Sequence, residues 1–216
     1  RDKILGTPAN EYKEEHYRRI DYVNYNFGRT VAKPGWKTDR GKFYIILGEP
    51  RDIERFIGVP EVFNSEIWYC AGLSKFGLPS YFNLVFFQKG GIGEYILHSP
   101  INDGPQALMA NYWGSSTDYS AGFRTLSNIA PVLAKASLTR IPGDSSISLG
   151  GASLASELLL QNIYTVPQKE LKDTYAEKFL LFKDIIEVEY STNYIDNDVL
   201  VKVLKDSSGI YFVHYV

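Results

Sequence analysis

The stretch Tyr81 to Gln88 reads YFNLVFFQ, apolar at nearly every position. Its length, its aromatic and β-branched content and the preceding Pro79 predict a central strand covered on both faces. Three further β signals surround it: Lys42 to Leu47 (KFYIIL), Glu66 to Cys70 (EIWYC) and Glu94 to His98 (EYILH). Gly58 and Pro60 punctuate the chain before the second of these. Lys89-Gly90-Gly91-Ile92-Gly93 forms a hairpin-type connection before the last. No helical pattern intervenes, so an antiparallel meander of about four strands is expected.

Helical patterns flank this block. Thr7-Pro8 has the form of a helix start, and the helix is expected to run to about Phe27, with Gly28 as the stop. Tyr12, His16, Ile20, Val23 and Phe27 make one continuous stripe at helical spacing, with His16 expected to be packed there. Glu14–Arg18 and Glu15–Arg19 are i,i+4 pairs with the acid first, the favourable order, on the solvated face. A short helix is expected from Asp103-Gly104-Pro105 to about Trp113. A longer pattern spans about Ser120 to Thr139, with Pro131 expected to split it. Ser153 is placed to cap a helix carrying Leu154, Leu158 and Leu159, and Thr165-Val166-Pro167-Gln168 fits the start of another through about Lys178. Phe179 to Tyr190 then shifts to β character. Asp198 to Leu204 and Ile210 to Val216, separated by a turn cluster, read as a hairpin. The fold class is therefore α+β: a meander flanked by helices over residues 1–182, then the start of a sandwich-like β domain over 183–216. The chain opens on Arg1 and closes inside a β-rich run, an open edge that invites pairing, so a longer parent protein is expected.

Composition narrows the function classes. The 216 residues carry 23 Lys+Arg against 25 Asp+Glu, a formal charge of −2, with a hydrophobic share of 44%. Disorder is excluded as the main state, because 16 Tyr, 12 Phe and 3 Trp can bury too much surface. A pI near 6.0 without a basic cluster argues against a nucleic-acid partner. No apolar run approaches the length of a transmembrane helix. The single cysteine, Cys70, excludes an intramolecular disulfide and a cysteine-based metal cage. His16, His98 and His214 are far apart, and no metal-ligand spacing occurs, so neither metal nor cofactor is expected. No phosphate-binding loop and no nucleophile elbow is present, and Gly90, Gly91 and Gly93 join two strands rather than a strand and a helix. Paired carboxylates for a hydrolase could come from Asp39, Glu49, Asp52, Glu54 and Glu66.

One segment carries unusual local chemistry: Gly35-Trp36-Lys37-Thr38-Asp39-Arg40-Gly41, leading into KFYIILGEP. It reads as a tight turn into the first strand. Gly35 and Gly41 allow unusual φ, and Thr38 and Asp39 can accept nearby backbone N–H groups. Trp36 is a large apolar anchor, expected to pack near Ile20 or Val23. Arg40 can pair with a carboxylate in bidentate fashion.

The run GWKTDRGKFYIILGEP resembles the bacterial GWxTD-domain family, as does the upstream GTPANEYKEEHYRRIDYVNYNF. Gly35, Trp36, Thr38 and Asp39 match the naming motif. Gly48 and Pro50 match the following "YGPPDEIE"-like turn, as do Ile53 and Glu54. There Glu49 replaces a proline, and Arg51-Asp52 stands where the family usually has Asp-Glu. The resemblance covers about Gly6 to Glu54, and more loosely the strands at 66–69 and 93–97. It implies an exported, multidomain bacterial protein of uncharacterised biochemistry, and hence an extracytoplasmic setting in the periplasm or beyond. On this basis the chain is expected to be a non-enzymatic binding or scaffold module facing a protein or glycan surface. The motif residues Gly35, Trp36, Thr38, Asp39, Arg40, Gly48 and Pro50 are then expected to be structural. The alternative is an extracytoplasmic hydrolase acting on glycan or peptide through the five loop acids.

Overall fold

A computed structural model describes residues 11–29, 31–144, 153–167, 201–205 and 211–215. The chain divides into two compact units, Arg1–Glu177 and Lys178–Val216. The first contains α1 (Glu11–Phe27), α2 (Asp39–Leu47), β1 (Asp52–Phe56), β2 (Ser65–Ala71), β3 (Tyr81–Phe87), β4 (Ile96–Leu97), α3 (Tyr119–Ile129), α4 (Pro131–Leu138) and α5 (Leu154–Tyr164). The fold is α+β, and the four strands form one antiparallel sheet in the order β1-β2-β3-β4.

The meander stands, but its first strand is not the expected one. KFYIIL is helical, within α2, and the edge strand is β1, with sequence DIERF. The β propensity of Ile45 and Ile46 is overridden by local signals on either side. Thr38 caps the helix: its Oγ1 accepts the Gly41 N–H at 3.0 Å and donates to the Gly35 carbonyl at 2.6 Å. Gly48, at φ +85°, ends it, its N–H bonding the Tyr44 carbonyl. Gly41, Tyr44 and Gly48 are buried at helical spacing, the period that the five-residue apolar run Phe43 to Leu47 conceals.

Strand β3 is central, with six of its seven residues buried, because side chains on each face meet a separate core. Trp68, Cys70, Phe82, Leu84 and Phe86 pack with Val23 of α1, Phe43 and Tyr44 of α2, and Leu159 and Ile163 of α5. Ile67, Val85 and Phe87 pack with Leu126 of α3 and Leu133 and Ala134 of α4. The period-2 alternation along β2 and β3 thus feeds two helix layers at once.

Other helix expectations divide. Pro131 splits the pattern into α3 and α4, with Asp118 capping α3 through the Ala121 N–H. The short helix after Gly104 is a single 3₁₀ turn over Pro105–Leu108 and does not reach Trp113, which is 95% exposed. His16 is exposed rather than packed, because the buried side of α1 turns toward α2 around Val23 and Phe27. Glu15, not Glu14, takes the helix-face arginines, bonding both Arg18 and Arg19. Ser153 stands at the start of α5, but its hydroxyl donates to the Asp144 carboxylate instead of accepting a helix N–H.

In the second unit, β5 (Val201–Lys205) and β6 (Tyr211–Tyr215) form the expected antiparallel hairpin, Val201 opposite Tyr215 and Lys205 opposite Tyr211. The β run at 179–190, most of the helix expected from Thr165 and the anticipated boundary at 182/183 lie outside the described residues. Among the described residues, no helix is long and apolar enough to cross a membrane.

Candidate functional site

The segment from Gly35 to Gly41 clasps α1 to α2. A Cβ on Gly35 would lie 1.9 Å from the Val23 carbonyl oxygen, and one on Gly41 would lie 2.0 Å from the Gly35 carbonyl oxygen. Neither glycine has a positive φ. The expectation that they supply unusual φ is therefore corrected: they are small so that three backbones can touch. The Asn24 carboxamide accepts the Trp36 N–H at 3.2 Å, fastening the turn to α1. Arg19 reaches from α1 to the end of α2, donating to the Ile45 carbonyl at 2.9 Å. A cation there suits both the unpaired carbonyls and the helix dipole.

Trp36 is exposed rather than a buried anchor. Its ring is 46% exposed, with the Lys37 ammonium 5.0 Å from its centre. The buried anchor is Trp68, 2% exposed, which meets Phe27, Tyr44 and Phe86 at ring distances of 5.7, 6.4 and 4.8 Å. Asp39 does accept a backbone N–H, but from Leu97 of β4 at 3.0 Å rather than from its own turn. Its other oxygen faces Lys42.

Arg40 extends from the first turn of α2 over the sheet. Its guanidinium lies 4.6 Å from the Phe27 ring centre and 4.0 Å from that of Tyr95. One nitrogen meets the Glu66 carboxylate at 3.2 Å, so the pairing is single rather than bidentate. Glu66 is buried and takes two more bonds, from Trp68 Nε1 at 3.0 Å and Arg55 Nε at 3.4 Å.

These residues floor a half-open cleft of about 430 Å³ between α1, α2 and the edge strand. Phe27, Tyr44, Ile53 and Trp68 supply its apolar surface. Tyr22, Asn26, Glu49, Arg51, Asp52 and Arg55 form an exposed rim. Tyr22 stacks on Tyr44 with ring centres 4.5 Å apart and planes 11° from parallel. Burial is the main cause that pushes the Tyr44 phenol above its ordinary range.

Of the five candidate acids, Glu49, Asp52 and Glu66 line this cleft. Glu54 instead accepts the Tyr69 hydroxyl at 2.8 Å, on the other face of the sheet, and Asp39 is turned to β4. The Asp52 carboxylate accepts the Ile53 N–H at 2.8 Å. Gly48 and Pro50 carry the chain from α2 into the edge strand, with Pro50 on the cleft wall. Among the described residues, no group of His, Cys, Asp and Glu could hold a metal ion. Burial pushes the Cys70 thiol up to about 12, far from the thiolate a nucleophile needs.

Tyr22, Asn26 and Arg55 are cleft residues that the sequence did not single out. Tyr22 lies just off the apolar stripe of α1. Arg55 stands opposite Glu66 only once β1 and β2 are paired in register.

The geometry defines an α+β domain in which a glycine-packed helix pair closes on one face of the sheet and leaves an aromatic-floored cleft beside the edge strand β1. Residues 6–75 match the family model of the GWxTD domain, and this part of the chain is similar to that domain. The match spans the clasp and continues through β1 and β2. No curated protein and no solved structure matches the chain.

Proposed function

We propose that this chain is a non-catalytic binding module of an exported bacterial protein, and that the cleft beside β1 receives its ligand. The observation that carries the reading is the state of Glu66. It is the one buried carboxylate of the cleft floor, and Arg40, Arg55 and Trp68 already occupy it. A general acid or nucleophile must instead face the reacting bond within hydrogen-bond reach. The rim residues remain exposed and offer both donors and acceptors, which suits recognition. The extracytoplasmic setting rests on the resemblance to exported GWxTD proteins. The motif residues serve as the frame of the cleft, with Arg40 reaching its floor.

A hydrolase is the second reading, favoured by the meeting of Glu49, Asp52 and Glu66 in one cleft. Incubation with polysaccharide and peptide panels separates the two. The binding reading expects retention of a ligand without turnover, at any pH. Cleavage that Glu49→Gln, Asp52→Asn or Glu66→Gln abolishes, in a variant that still folds, would establish the hydrolase instead.

A further inference from the structure

The charge balance of the cleft selects among ligand classes. Three arginines of the cleft, Arg40, Arg51 and Arg55, are matched in number by three carboxylates, Glu49, Asp52 and Glu66, the last of which is bonded to both Arg40 and Arg55. We infer that the cleft takes an uncharged polyhydroxylated ligand, a sugar unit of a neutral glycan. The inference rests on the binding reading above and adds the ligand class.

Three alternatives fit the geometry less well. A cationic ligand would need the aromatic and carboxylate position that Arg40 already fills, between Phe27, Tyr95 and Glu66. An anion would gain Arg51 and Arg55 but meet Glu49 and Asp52 on the same rim. A peptide strand added to β1 needs the free backbone groups of that edge, and Asp52 already takes the Ile53 N–H.

Sugar hydroxyls use what is there. Each hydroxyl both donates and accepts, so it can bridge a carboxylate and a guanidinium or the Asn26 carboxamide. The apolar face of a pyranose needs a flat, rigid platform. Tyr22 supplies one at the mouth: its ring is fixed by stacking on Tyr44 yet is 40% exposed. Such pre-organisation lowers the ordering cost of binding. The volume of about 430 Å³ is at the small end for a ligand pocket, the size for one or two sugar rings.

The test is calorimetric titration of the full chain with neutral oligosaccharides (cello-, malto-, xylo- and chito-oligosaccharides). Acidic oligogalacturonates and a mixed peptide library serve as the competing classes, and product analysis runs alongside. At least one neutral series should bind in the millimolar range or tighter. Tyr22→Ala and Arg51→Ala should each weaken it at least about tenfold, the loss of one good contact. Tyr25→Ala, an exposed tyrosine of α1 outside the cleft, should leave it unchanged. Melting curves check that each variant folds, and the exposed Asn26→Ala replaces any that does not. Binding confined to oligogalacturonates or peptides, weakened by the same substitutions, would overturn the neutral-sugar inference and leave the binding module standing. Retention of no probe, or neutral binding indifferent to all three substitutions, would overturn the inference as well. Cleavage of a bound oligosaccharide would overturn the binding reading itself.

Discussion

The Asp39 carboxylate accepts the backbone N–H of Leu97, 58 positions further along the chain, at 3.0 Å. The second residue of the T-D pair is thus a seal on the edge strand β4 rather than part of its own turn. A strand of two residues has few ladder bonds to hold it, so a side-chain acceptor on its free amide matters. Asp39→Ala should cost about 1–3 kcal/mol, the size of a charge-assisted bond whose donor is left half-buried. Asp39→Asn should recover part of this, since an amide oxygen still accepts. Urea unfolding of both variants checks the order. Equal stability of Asp39→Ala and the parent would refute the assignment.

Two tryptophans make an opposed pair. Trp68→Ala should cost about 3–5 kcal/mol, as large aromatic deletions from a core do. Trp36→Ala, whose ring is 46% exposed, should stay within about 1 kcal/mol of the parent. Denaturant midpoints distinguish them directly, and a large loss at Trp36 would return it to the role of core anchor.

The clasp glycines predict a sharp contrast among Gly→Ala changes. Gly35→Ala and Gly41→Ala would force backbone atoms apart from about 2 Å, and each should cost more than about 3 kcal/mol or prevent folding. Gly58→Ala meets open space at φ +74° and should cost about 1 kcal/mol through strain alone. Soluble expression followed by thermal melting gives the ranking.

His98 sets a pH window. It is fully buried; its Nε2–H donates to the Gly104 carbonyl at 2.8 Å, and Nδ1 has no partner. Burial, with Arg140 nearby, lowers its pKa to about 4, against the opposing pull of the Gly104 bond and Asp103. The unfolded chain therefore takes up the proton first, near pH 6.5, and the folded chain only near pH 4. Stability is full above pH 6.5 and falls as pH drops through this interval, by about 3 kcal/mol in all. Urea midpoints at pH steps from 7.5 to about 4 should show the fall. In His98→Gln the contribution from this interval should vanish. A parent curve that matches the variant throughout would refute it.

The sequence made the central strand plain because YFNLVFFQ allows one reading, a strand covered on both sides. The GWKTD segment was legible as a family signature and as a turn in which Thr38 accepts a backbone N–H; that the accepted N–H starts a helix was not. What it joined was not legible, because Asp39 and Leu97 meet only in the folded chain. KFYIIL misled because its five consecutive apolar residues carry no period, and the Thr38 cap and the Gly48 stop had to decide it. The edge strand DIERF was hidden by its charges, which suit an edge and obscure alternation. Three of the five acids belong to one cleft, yet no spacing shows that Glu54 and Asp39 face elsewhere.

The Asn24–Trp36 bond closes a loop of only a dozen residues, whereas the Asp39–Leu97 bond spans the whole sheet. Loop-closure entropy rises with length, so the helix pair is the cheaper piece to assemble. The consequence is an order of events. α1 and α2 can meet early on local contacts, and the sheet, richer in distant pairings, must find them afterwards. Asp39 would then stand in place before its strand arrives, and the last edge would be captured rather than searched for.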